Sequence, residues 1–187
     1  MDHVFNFWFG VVTISSIGTL AHFLYDWTKH NKIIGLFTAV NESTWEHIKI
    51  ALTPTFVWAL YDGLIYGFEP NYFLAKFVSI LILIILIPII FYSYRAITKK
   101  SILPIDIGNF YISIILSQLI FYVLITRPAQ PFFVNYLACL GLFVLFGCYM
   151  TLTLAPLKNF LFKDPVNGKY GFRAHMHFIK KKKSKKV

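Results

Sequence analysis

The chain is poor in charge, and poorest in acid. Only 14% of its 187 residues are charged, and eight are Asp or Glu. A soluble domain carries about 25% charged residues, so an ordinary soluble fold is excluded. Cysteine is scarce too. Cys139 and Cys148 fall in one apolar run with no C-x-x-C, which leaves no disulfide frame or cysteine metal motif and makes both packing residues. There is no G-x-S-x-G, G-x-G-x-x-G or P-loop, so the common nucleophile-elbow and nucleotide-binding frames are absent.

What is present is hydrocarbon: 57% of residues are hydrophobic and 19% aromatic. Crossing a bilayer core of about 30 Å takes about 20 apolar residues. Five such runs are legible, at about 4–25, 45–68, 72–94, 104–125 and 132–154. They predict an all-α integral membrane bundle of about five transmembrane helices, one membrane domain over 1–158, with a flexible basic tail over 159–187. The first run follows Asp2 and His3 rather than a basic n-region, and is expected to be a retained span. Pro54 and Pro88 are expected to bend spans two and three, and span three, apolar all round, to face lipid over much of its circumference.

The net charge of +10 sits in the wrong places for nucleic acid. Lys180, Lys181, Lys182, Lys183, Lys185 and Lys186 follow the last apolar run, where they read as a contact for anionic lipid, worth about 1 kcal/mol each near the surface. The remaining Lys and Arg concentrate in the first connection, the third connection and the tail. By the positive-inside rule this predicts the N-terminus outside and the C-terminus in the cytoplasm.

Against this background one stretch is unusual. Asn41 to Lys49 reads Asn-Glu-Ser-Thr-Trp-Glu-His-Ile-Lys, two acids, a histidine and a lysine at the mouth of an apolar helix. Clustered ionisable residues in a membrane protein are a functional-site hypothesis. Ser15, Gly18, His22 and Asp26 share one face of span one, and Asp106, Asn109, Ser113 and Ser117 form a stripe on span four. Together these ends are expected to build a cytoplasm-facing pocket. His22, Asp26, Glu46 and His47 are its metal-ligand candidates, since imidazoles and carboxylates suit a divalent ion such as zinc. Asn41, Glu42, Trp45, Lys49 and Asn109 would line it, and Glu42 or Asp106 are the candidate catalytic bases.

Plainer duties compete with that reading. Ser43 and Glu46 fit an S-x-x-E capping box, Glu46 can pair with Lys49, and Trp45 suits the interfacial belt like Trp27. Glu46 and His47, about 100° apart on a helix, do not easily serve one ion, and neither H-E-x-x-H nor Glu-x-x-His is formed. Asp62 and Glu69 read as interface groups, Lys76 as a snorkelling lysine, and His175-x-His177 as a weak metal spacing in the tail.

His22-Phe23, Tyr25 and Trp27, with Asn41-Glu42-Ser43, Trp45-Glu46-His47 and Lys49, resemble the signature of small bacterial multi-pass membrane proteins of unknown function. The resemblance covers Gly18 to Pro54 and extends to Leu161-Phe162, Asp164-Pro165 and Tyr170-Gly171. It implies a cell-membrane protein, in the bacterial inner membrane, and supplies no activity. His22, Asp26, Ser43 and His47 also resemble part of the site of membrane hydrolases of the alkaline ceramidase type, which have seven helices and three zinc-binding histidines. Five spans and no third intramembrane histidine carry no roles across. Three readings stand: a membrane protein whose pocket binds a metal ion or small polar ligand, a metal-dependent lipid hydrolase, and an assembly subunit whose polar cluster only locks helices together.

Overall fold

The computed structural model describes residues 3–66 and 68–175. They form α1 (His3–Trp27), a short α2 (Lys32–Gly35), α3 (Thr44–Tyr66), α4 (Tyr72–Thr98), α5 (Leu103–Ile125), α6 (Phe132–Leu154) and a closing 3-10 turn (Gly171–Ala174). The five long helices are each long and apolar enough to cross a membrane. The all-α expectation holds, and each span lies within a few residues of its apolar run.

Helices α1, α3, α4 and α5 close a ring in which each touches the next, and α6 packs outside it on α4. Of the expected face Ser15, Gly18, His22 and Asp26 only Ser15 and Gly18 are buried, and the seam of α1 runs through Gly10, Ile14, Gly18, Ala21 and Tyr25 at helical spacing. It ends on Tyr25 rather than on Asp26, which is exposed. Helix α3 runs on through Pro54. A proline has no N–H, so the carbonyl of Ile50 one turn earlier loses its helical partner. That carbonyl faces Gly18, where a Cβ would stand 2.7 Å from it. The glycine lets α1 and α3 approach where α3's ladder is broken.

Helix α4 keeps much of its circumference free of other helices, as expected, and adds an inner face that the sequence does not mark. It contacts α3, α5 and α6 and is the centre of the bundle, while α6 is the most lipid-facing helix, with 17% of its apolar window buried against 33% for α4. Ser79, Leu83 and Ile87 line its inner face, and Asn109 and Ser117 of α5 donate to the carbonyls of Ile87 and Ser79. An apolar run cannot show which of its sides meets other helices.

Residues 159–175 also differ from a flexible tail. Asp164 accepts from the N–H groups of Val166 and Asn167, a turn that Asp-Pro-Val-Asn-Gly favours by composition. A single antiparallel bridge joins Lys163 to Tyr170, and Phe162, Asp164 and Ala174 are buried. The six lysines from Lys180 to Lys186 that were assigned to anionic lipid, and His177, lie outside the described residues.

Candidate functional site

The Asn41–Lys49 stretch is first of all a docking platform. Asn41 turns its side-chain oxygen to the Ser43 N–H at 2.8 Å, opening α3, and its amide donates to the Gly171 carbonyl at 3.1 Å. The Trp45 N–H donates to Leu161, and the Trp45 ring lies on Phe162 with centroids 4.9 Å apart. Asp164 accepts from the Glu42 N–H at 3.3 Å. Three positions of this stretch, Asn41, Glu42 and Trp45, thus hold the folded segment after α6 against the start of α3. Trp45 is buried in the core, not set in an interfacial belt like the exposed Trp27.

Glu46 does not close a capping box. Its carboxylate points inward, accepting from the Val40 N–H at 3.0 Å and pairing with Lys49 at 2.6 Å. Lys49 also donates to the Gly35 carbonyl at 2.9 Å, and both side chains are shut away from solvent. The cap position is taken by the nearer Asn41, which leaves Glu46 free to neutralise a lysine. This pair fastens the loop that carries α2 onto α3.

The proposed ligand set divides. His22 and His47 face each other with ring centroids 5.7 Å apart, and His47 Nε2 stands 4.0 Å from the Glu42 carboxylate. His47 Nδ1 lies 3.0 Å from the Ser43 carbonyl, a contact that requires its proton on that nitrogen. Glu46 is committed to Lys49, and Asp26 turns elsewhere. Asp106, the other candidate base, pairs with the Tyr94 hydroxyl and accepts from Ser101 at 3.2 Å. Asn109 is buried between α4 and α5, where it donates to Ile87 and accepts from Ser113.

Asp26 meets two histidines instead. Its Oδ1 lies 2.9 Å from His30 Nε2 and 3.1 Å from His175 Nε2, and the three candidate ligand atoms all lie within 4.8 Å of one another. Among the described residues this is the one group of three such side chains so placed. Its geometry has a local origin. Helix α1 ends at Trp27, and Lys29 and His30 take positive φ of 55° and 62°. The chain turns back, with the His30 N–H donating to the Tyr25 carbonyl at 3.0 Å. Such backbone costs of order 1–3 kcal/mol per non-glycine residue and concentrates at functional positions. Tyr25 presents an edge-on ring to each imidazole, at 5.4 Å and 5.1 Å, and sets both.

In the sequence His175 reads as half of a pair with His177, and His30 lies unremarked in the basic first connection. The four-residue spacing of Asp26 and His30 was a usable signal; the approach of His175 from the far end of the chain left none. A second buried group was missed altogether. Asp62 and Lys76 are not interface or snorkelling residues but an ion pair, both fully enclosed, with the Lys76 ammonium 3.6 Å from the Phe121 ring centre. Their signal was symmetry: the two lie equally far from Glu69 in an α3–α4 hairpin, so antiparallel helices bring them level.

No curated protein and no solved structure matches the chain. Residues 4–172 match a family described as a family of unknown function (DUF6512), a span that takes in all five long helices and the docked segment up to the 3-10 turn. By that match the chain belongs to the DUF6512 family.

Proposed function

We propose that this multi-pass membrane protein binds a divalent transition-metal ion through Asp26, His30 and His175, at the bundle end that faces the cytoplasm of a bacterial inner membrane. One observation carries the reading: three ligand atoms, two from the end of α1 and the turn after it and one from the segment after α6, gather within 4.8 Å. Two imidazoles and a carboxylate suit zinc or ferrous iron, with metal–ligand distances of about 2.0–2.2 Å for zinc and a fourth position open to water or a small ligand. The polar contacts now joining Asp26 to the two rings are the ones an ion would replace. Side chains are half-open here, with Asp26 65% exposed, so an ion has a path in. Bound metal would tie the segment after α6 to the end of α1.

Metal content by elemental mass spectrometry, after loading with zinc and desalting, tests this. The parent should retain about one ion per chain by the stoichiometry of a single site. Asp26→Asn and His175→Ala should lose it, and His22→Ala should keep it. No retained metal in the parent, or equal retention in all four proteins, overturns the proposal. Loss in His22→Ala alone would move the site to the His22–His47 pair. Protons compete with metal for imidazole, so retention should fall as the loading pH is lowered.

A further inference from the structure

The ring of helices leaves a second feature that the metal reading does not use. Helices α3 and α6 touch through long side chains at one end: Thr53 and Tyr149 share a hydrogen bond at 2.7 Å, and the Phe56 and Phe146 rings stand 5.3 Å apart. Beside these contacts lies a cavity of about 450 Å³ between α3, α4 and α6. That is within the roughly 300–1,000 Å³ typical of ligand pockets. Its walls are almost wholly apolar, and Val57, Leu60 and Phe143 on its rim are exposed, so it opens sideways from the bundle. Lys76 contributes its stem to the wall while its ammonium is held by Asp62 behind it.

We propose that this cleft holds one hydrocarbon chain of a bilayer lipid. All three walls are helices long and apolar enough to span a membrane, so the mouth opens onto acyl chains. Water is a poor occupant, because apolar cavities of even ~150 Å³ stay dry. Along α6 the lining runs from Cys139 to Tyr149, roughly 15 Å at helical rise, which is about half of a ~30 Å hydrocarbon core. The cleft is as long as one leaflet is deep. A slot of that length walled by apolar side chains takes a single chain along its axis, and a helix of a second copy is the other occupant that the test distinguishes. With its polar groups already satisfied by one another, the wall selects a chain rather than a headgroup. This reading is independent of the metal site.

The test is photolabelling of the full-length protein in detergent micelles with a phosphatidylglycerol carrying a diazirine in one acyl chain, followed by peptide mapping. The inner face of α6 at Cys139, Leu142 and Phe146 should label severalfold above its outer face at Leu140 and Val144. A cleft-filling Leu142→Trp should bring the inner face down to the outer level, and Ala59→Trp provides the same block from α3 should the first fold poorly. Equal labelling of the two faces in the parent overturns the proposal. So does efficient linking of two chains through Cys139 by a short thiol crosslinker in a Cys148→Ser background, which would make the cleft an interface between copies.

Discussion

Among the described residues two lysines, Lys49 and Lys76, are kept from water, and each is held by one carboxylate. Breaking a buried ion pair on one side leaves an uncompensated charge and costs about 3–5 kcal/mol, whereas replacing both partners by apolar groups is often neutral. Asp62→Asn and Lys76→Met should each lower the melting temperature in detergent markedly, and Asp62→Leu combined with Lys76→Met should recover most of the loss. A double variant no better than the worse single one would show that the two charges do not depend on each other. Glu46 gives the sharper contrast, since it was also a candidate ligand. With its carboxylate between Lys49 and the Val40 N–H, Glu46→Gln should cost stability while leaving zinc retention at the parent level. Metal loss in a variant that melts like the parent would return Glu46 to the site.

Between helices, what decides fit is the meeting of a proline with a glycine. The Ile50 carbonyl released by Pro54 points at Gly18, and the ring of Phe110 also stands 2.7 Å from where a Cβ would be. Gly18→Ala therefore has to push a backbone and a ring apart, at a cost of about 1–3 kcal/mol for an overpacked contact. Gly108 on α5 has nothing within 4 Å of that position. Gly108→Ala should be neutral or gain up to about 1 kcal/mol from helix propensity. The pair of melting curves separates close packing from a general effect of removing glycine. These elements show what a sequence makes legible. Apolar length marks a helix by itself, so Phe132–Leu154 could be read to the residue, whereas the face read on α1 through Ser15, Gly18, His22 and Asp26 shares Gly18 with the buried seam but leaves it at Ala21 and Tyr25. Partners are another matter. Nothing local to Asp26 indicates His175, nothing in the apolar run of α4 shows which of its sides meets three other helices, and the turn at Asp164, legible from Asp-Pro-Val-Asn-Gly, gives no sign that it docks on the start of α3. Ser43 and Glu46 matched a capping pattern, but a buried lysine three residues on outcompeted the backbone for the carboxylate.

The whole molecule has a charge axis. The Tyr92 hydroxyl reaches the Phe160 carbonyl, Trp45 bonds to Leu161 and Asn41 to Gly171, so the end of α4, the start of α3 and the segment after α6 share one end of the bundle. Lys29, Lys32, Lys99, Lys100, Lys158, Lys163, Lys169 and Arg173 lie in the connections and docked segment there. The connections at the opposite end carry Arg127 and Glu69. Lys and Arg near span ends favour the cytoplasmic side during insertion, which is the orientation this asymmetry predicts. The end that holds Asp26, His30 and His175 is therefore expected in the cytoplasm. Paired reporters check it: alkaline phosphatase fused after Val187 should be inactive while a fluorescent protein there is bright, and a cysteine placed at Gln130 should react with an impermeant maleimide on intact cells. The opposite pattern would put the histidines outside. The metal they meet would then be drawn from the surroundings rather than from the buffered pool within the cell, and a site of only three protein ligands, one of them exposed, would have to hold its ion against free exchange. Retention by the purified protein reads the ligand set in either orientation, so the fusion result decides which pool of metal the site meets and the metal result decides whether it holds an ion.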